Sequence, residues 1–205
     1  PPSPLPPSLP SPLPSFLKVY DDSLGGGVMS RWLDGLAIGD TVQAKGPVGH
    51  YEWTAPGACV LHRKPLAGVA RMTFIAAGTG ITPAYAVLRA VFDPVADGET
   101  PPDTSTTAVL IYANRHEEDV LLAGELDGLA RLSGGRFKVV YTLSRPGPTW
   151  PHARGRIDEA MIRLHALAPG EGAMAFACGP PALVEGVVKA GLAAVGYEGE
   201  TVVVF

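Results

Sequence analysis

The sequence predicts an α/β fold, a parallel sheet with helices on both faces preceded by a shorter β-rich segment, and three observations carry that expectation. Residues 71–92 (RMTFIAAGTGITPAYAVLRAVF) run from an apolar stretch through Gly78 and Gly80 into Ala84, Leu88, Val91 and Phe92 at helical spacing, which reads as strand, glycine turn and helix. Strand-like and helix-like stretches then alternate as far as the terminal VVVF, the pattern of successive βαβ units. Residues 16–61, by contrast, read as short strands and glycine turns, too few to close a barrel alone.

Taken in order, residues 1–15 (PPSPLPPSLPSPLPS) are proline-rich. Proline removes backbone donors and disfavours helix in the residue before it, so polyproline II or disorder is expected here. A spacer is favoured over a ligand for a proline-binding groove, because no basic residue precedes Lys18 to orient docking. Residues 16–20 (FLKVY) read as a strand and 21–27 as a turn. Residues 28–36 (VMSRWLDGL) place Val28, Trp32 and Leu36 on one helical face, directly after Gly25, Gly26 and Gly27. The strand TVQAKG (41–46), a Gly46-Pro47 turn and a strand around 50–53 follow. Within 71–92, Gly78 and Gly80 suit positive φ, Thr82 suits an N-cap and Pro83 suits the first helical position. After a polar loop (93–106) come strand 108–113, helix 119–132, strand 137–143, helix 157–166, strand 173–177, helix 182–194 and strand 201–204.

The net charge of −4 over 205 residues opposes a nucleic-acid surface. No apolar run approaches the roughly 20 residues of a membrane span, and the first residues lack the basic and apolar regions of a signal peptide. A cytoplasmic protein with neither nucleic acid nor membrane as partner is expected. Cys59 and Cys178 are far apart and suggest reduced thiols, and His50, His62, His116, His152 and His165 show no ligand spacing, so no metal site is expected.

If the later strands are parallel, four strand ends share one rim: Gly78-Thr79-Gly80, Asn114-Arg115, Ser144-Arg145 and Cys178-Gly179-Pro180-Pro181. Ligands of such sheets bind there, near the point where the strand order reverses, and amides freed at a helix start attract anions. Cys178 stops its strand and Gly179 leaves room for a flat ring, the plain alternative being a buried structural thiol. Ser144 beside Arg145 suits a ribose 2′-phosphate, where an acidic residue would repel it; a solvated loop is the alternative.

The segments GGGVMS, KGPVGHYEW, AAGTGITPAY, IYANRHEEDVLL, ACGPP and VVVF stand in one order along residues 16–205. In this the chain resembles the flavoprotein reductase region of eukaryotic assimilatory nitrate reductases, itself similar to cytochrome b5 reductase within the ferredoxin-NADP reductase-like superfamily. The resemblance implies a Rossmann-like NAD(P)H-binding domain over 66–205. Before it would come the remnant of an antiparallel β-barrel FAD domain over 16–65 and the proline-rich segment 1–15. It implies that Gly26, Gly27, Val28, Met29 and Ser30 bind the FAD pyrophosphate and that Lys18 and Tyr20 contact flavin or nucleotide. Gly78, Thr79, Gly80 and Pro83 would lie under the nicotinamide nucleotide, with Thr82 near the flavin. Arg115, Ser144 and Arg145 would line the nucleotide, and Cys178, Gly179 and Pro180 the nicotinamide ring. Cys178 and Thr82 are the catalytic candidates. The implied chemistry is hydride transfer from NADPH or NADH to FAD, with electrons passing to a cytochrome b5-like haem domain in nitrate assimilation. A homodimer would form through domains this sequence does not carry. The hydride step needs no acid or base, so none is assigned to His50 or Glu52.

Three departures shape the expectation. The family's Arg-x-Tyr-Thr or Arg-x-Tyr-Ser flavin signature does not precede FLKVY, several barrel strands are missing, and so are the molybdenum and haem domains. The chain therefore reads as a C-terminal fragment or a truncated gene product. The alternatives are a nucleotide-binding module without turnover, a free cytochrome b5 reductase-like enzyme, or an interaction protein working through its proline-rich tail. Ala182-Leu183 stands where relatives often have Pro-Met, a change the site is expected to tolerate. Ser144 stands where many NADH-specific relatives have aspartate, so NADPH is expected to be accepted at least as well as NADH. Exposed apolar surface on the barrel remnant is expected to promote association.

Overall fold

The computed structural model describes residues 27–43, 49–93 and 103–205, and the chain divides into two compact units, 1–46 and 47–205. In the first unit, helix α1 (Val28–Asp34) starts directly after Gly27, as the glycine-to-helix reading expects, and Ser30 Oγ donates to the carbonyl of Gly27. Its apolar residues Val28, Met29 and Trp32 are exposed. Residues 41–43, expected to open a strand, are irregular. The proline-rich stretch, the FLKVY strand and residues 44–48 lie outside the described residues.

The second unit contains two sheets. Strands β1 (Tyr51–Ala55), β2 (Ala58–Leu61) and β3 (Lys64–Ala67) form an antiparallel meander. Strands β4 (Arg71–Ala77), β5 (Thr107–Asn114), β6 (Phe137–Leu143), β7 (Ala153–Arg154), β8 (Ala173–Cys178) and β9 (Val202–Val204) form a wholly parallel sheet in the order β7-β6-β5-β4-β8-β9. The α/β expectation holds, and its physical basis is plain. A strand covered on both faces must be apolar along its whole length, and β4 is buried from Met72 to Ala76. Phe74 and Ala76 join Leu110 and Tyr112 in a core under α2 (Ile81–Phe92) and α3 (Ala123–Leu132). Ile75 and Ile111 face the other way, with Ile162 of α4 (Glu159–His165) and Val184, Val188 and Leu192 of the C-terminal helix. That last helix runs from Pro181–Leu183 through a wider turn at Val184–Val188 into Lys189–Ala194.

Two polar devices tie loops to these layers. Thr73 Oγ1, in the amino-terminal half of β4, accepts from Leu167 N–H; Tyr197 donates to the carbonyl of Leu167, which leaves the Thr73 hydroxyl to donate to Tyr197 across 3.2 Å, closing a buried ring. Asp103 joins the meander to the approach of β5. One of its carboxylate oxygens accepts from Gly57 N–H and Thr106 Oγ1, the other from the N–H groups of Ser105 and Thr106.

The hairpin joining β2 to β3 and the short strand β7 were not anticipated. The hairpin turns at His62 and Arg63, with φ of 48° and 67°. Tight hairpins of this hand normally advertise themselves with Asn-Gly, so two bulky residues at positive φ give no turn signal.

Candidate functional site

All six strands of the large sheet point one way, so the four expected strand ends do lie on one rim. Ser144 N–H donates to the carbonyl of Asn114, and Arg145 N–H to that of Arg115, stepping the rim from β5 to β6. The chain leaves β4 toward β5 and later returns to β8 on the opposite side, so the order reverses between β4 and β8. That is where a parallel sheet opens a crevice for a ligand.

The two turns flanking this crevice are pressed together. Gly78 takes φ +55° and has open space where a side chain would stand. Gly80 corrects the sequence expectation: its φ is −62°, so it is not there for backbone freedom. A Cβ on Gly80 would run into the carbonyl oxygen of Cys178 and lie 2.6 Å from its carbonyl carbon. Across the same gap a Cβ on Gly179 would stand 3.2 Å from the Cβ of Ala77. The helix start is also displaced from expectation. Gly80 caps α2, Thr82 is the second helical residue and donates through Oγ1 to the carbonyl of Thr79, and Pro83 is the third. The single turn Gly78–Gly80 explains both shifts, since it carries the chain into helical geometry before Thr82 is reached.

Gly80 and Gly179 thus let the two turns pack main chain against main chain, while Gly78 leaves open space beside them, which fits a phosphorylated ligand approaching the main chain. Thr79, Thr82 and Pro180 are exposed, Gly78, Pro83, Cys178 and Gly179 half-buried. Burial pushes the Cys178 thiol up, which disfavours its thiolate form. Arg115, Ser144 and Arg145 are exposed on the β5 and β6 ends. Arg154, which sequence reasoning passed over, orders the loop beyond them: its Nη2 lies 3.1 Å from the carbonyl oxygens of Gly147, Pro148 and Trp150. Tyr112 was also missed, because a tyrosine inside an apolar run reads as core; its hydroxyl reaches the carbonyl of Gly78. Of the implied flavin residues, Gly27, Val28, Met29 and Ser30 form the start of α1 in the first unit, while Lys18, Tyr20 and Gly26 lie outside the described residues. Among the described residues, no group of three or more His, Cys, Asp or Glu side chains is placed to hold a metal ion, and no helix is long and apolar enough to cross a membrane.

A wholly parallel sheet with a glycine turn packed against the main chain of Cys178 and Gly179 at its reversal point is the architecture of a nucleotide-binding module. Comparison with known proteins narrows this. Residues 74–189 match the oxidoreductase NAD-binding domain family and residues 15–53 the oxidoreductase FAD-binding domain family. The nitrate reductase [NAD(P)H] of Hordeum vulgare is 41% identical over 177 residues, covering 84% of this chain and 19% of the barley protein. A nitrate reductase [NADH] of Arabidopsis thaliana is 39% identical over 173 residues, covering 84% of this chain and 18% of its own length. The crystal structure of the cytochrome b5 reductase domain of Ulva prolifera nitrate reductase superposes with a TM-score of 0.81 at 35% identity, over 93% of this chain and 68% of that one. The chain therefore belongs to the oxidoreductase NAD-binding domain family and, within it, to the cytochrome b5 reductase domains of nitrate reductases. It spans about a fifth of the length of the curated relatives it matches.

Proposed function

We propose that this chain is the NAD(P)H-dependent flavin reductase module of a nitrate reductase, taking a hydride from NADPH or NADH onto FAD and passing electrons to a haem domain in nitrate assimilation. The observation that carries the reading is the contact of the Gly80 and Cys178 backbones at the reversal point of the sheet, within a chain that matches both FAD- and NAD-binding families. The two cofactors supply the hydride chemistry when bound; the chain supplies geometry. Residues 66–205 bind the nucleotide, with Gly78 to Pro83 under its phosphates, Cys178, Gly179 and Pro180 against the nicotinamide ring, and Arg115, Ser144 and Arg145 along the adenosine side. Thr82 orients the flavin edge. Residues 16–65 serve the flavin, with Lys18, Tyr20 and Gly26 to Ser30 on its phosphates and ring. Positioning of the two rings is the catalytic contribution asked of the protein. Two free cysteines, Cys59 and Cys178, support a cytoplasmic setting.

The test is the visible spectrum of the purified chain after incubation with FAD and desalting, followed by NADPH or NADH with ferricyanide as acceptor. A retained flavin band that bleaches with nucleotide is expected. A colourless protein that still binds NADPH would leave a nucleotide-binding module without turnover.

Cofactor choice rests on the β6 end. Ser144→Asp is expected to lower affinity for NADPH relative to NADH by about tenfold or more, because a carboxylate beside Arg145 repels a 2′-phosphate and accepts from a 2′-hydroxyl. Equilibrium titration with both nucleotides checks this, and an unchanged affinity ratio would remove Ser144 from the site.

A further inference from the structure

Tyr112 on β5 is wholly buried, yet its hydroxyl links two backbone segments of the rim. It donates to the carbonyl oxygen of Gly78 at 3.2 Å and accepts from the N–H of Leu121 at 3.3 Å. A peptide unit is planar and trans, so the C=O of Gly78 and the N–H of Thr79 share one plane and point in opposite directions. Holding that carbonyl toward β5 turns the Thr79 amide away from Tyr112, to the outer side of the turn. Gly78, lacking a Cβ and sitting at φ +55°, adds little steric resistance of its own, so the orientation of this peptide depends on the hydrogen bonds to its carbonyl, from Tyr112 and from the Ile81 N–H. A flipped unit would present an oxygen where the amide had stood and would repel an anion.

We propose that Tyr112 is a positioning residue of the nucleotide site: its hydroxyl fixes the Gly78–Thr79 peptide so that the Thr79 amide donates to the diphosphate of the bound dinucleotide. Through Leu121 it also ties the glycine turn to the segment that carries Arg115. The inference rests on the rim being the NAD(P)H site. Burial pushes the Tyr112 phenol up, which keeps it a donor throughout the neutral range. The carboxamide of Asn114, two residues on, is buried with neither atom in hydrogen-bonding geometry, although it lies near enough to the Tyr112 hydroxyl to offset part of that burial. From the β5 side Tyr112 adds its hydrogen bond to that of the Ile81 N–H, which donates to the same Gly78 carbonyl from within the turn.

Tyr197 provides the control. It is as buried as Tyr112, and its hydroxyl also joins a strand to a loop, but it does so through Thr73 and Leu167, away from the rim. Tyr112→Phe and Tyr197→Phe are both expected to lower Tm, since each strands backbone or side-chain partners. In equilibrium titrations with NADPH, NADH and ADP-ribose, Tyr112→Phe is expected to weaken all three about ten- to a hundredfold, the worth of a charge-assisted hydrogen bond. Tyr197→Phe should stay within about twofold of the wild type. ADP-ribose carries the diphosphate without the nicotinamide, so an equal loss on it places the effect at the diphosphate. Unchanged affinity in Tyr112→Phe, a loss that spares ADP-ribose, or an equal loss in both variants would overturn the proposal. A wild-type chain that binds none of the three would overturn the reading of the site and this inference with it. A further measurement needs no variant: the amide resonance of Thr79 is expected to shift when the wild-type chain is saturated with ADP-ribose, and an unmoved resonance overturns the assignment even if Tyr112→Phe does not fold.

Discussion

Gly80→Ala is expected to abolish nucleotide binding and to lower Tm by roughly 6–12 °C. The new methyl would meet the carbonyl group of Cys178 and come within 3.0 Å of Gly179 N, and both are main chain that cannot rotate aside. At φ −62° an alanine has no conformational objection, so the whole effect is steric. Relief requires parting β4 from β8 just beyond the paired residues Ala76 and Cys178, at the crevice proposed to hold the nucleotide. Overpacking of this kind costs about 3 kcal/mol. Gly78→Ala is the instructive contrast. Its methyl would meet no atom, and only the positive φ opposes it, at about 1 kcal/mol. Thermal denaturation and NADPH titration of the two variants check the order. If Gly80→Ala matched the wild type in both, the two turns would not be in contact.

Asp103→Asn is expected to cost about 2–4 kcal/mol at neutral pH. The carboxylate is buried and accepts from three backbone amides and the hydroxyls of Thr106 and Ser105, so an asparagine would turn its NH2 group against donors. Burial alone would push this carboxyl up, but the hydrogen bonds from Thr106 and Ser105 outweigh it and hold the group below the usual carboxylate value. A depressed native value means that the unfolded chain takes up the proton first on acidification. The stabilisation is therefore fully present above the unfolded value of about 3.9 and disappears as pH falls through the lower native value. Denaturant unfolding of wild type and variant at pH 7 and again near pH 3 should show the gap narrowing. A gap of equal size at both would show that the charge is not what matters.

The fold was legible where one physical requirement dominates. Strands buried on both faces have to be continuously apolar, so 72–77, 108–113, 137–143 and 173–177 stand out, and the helices between them follow from their spacing. The rim was legible for the same reason, because parallel strands with polar or glycine ends leave those ends together. What stayed hidden depends on contacts distant in sequence. Gly80 reads as a turn glycine, whereas its constraint is the backbone of residue 178. Thr82 carries an N-cap side chain, but the extra turn before it moves the cap to Gly80. Asp103 sits in a polar loop whose composition says only "loop", and its partner Gly57 is 46 residues away.

β4 lies in the middle of its sheet but is the first of its strands to be translated, and its neighbour across the crevice is made about a hundred residues later, Met72 pairing with Met174. During synthesis β5 can settle against one edge early, while the other edge stays open, an apolar template on which a second nascent chain can pair. Closing that edge requires a long chain excursion to be fixed before any contact rewards it, the slow step expected of parallel topology. The contact between Gly80 and Cys178 comes into being only at that closure. Nucleotide can therefore stabilise the chain only after residue 178 has been made.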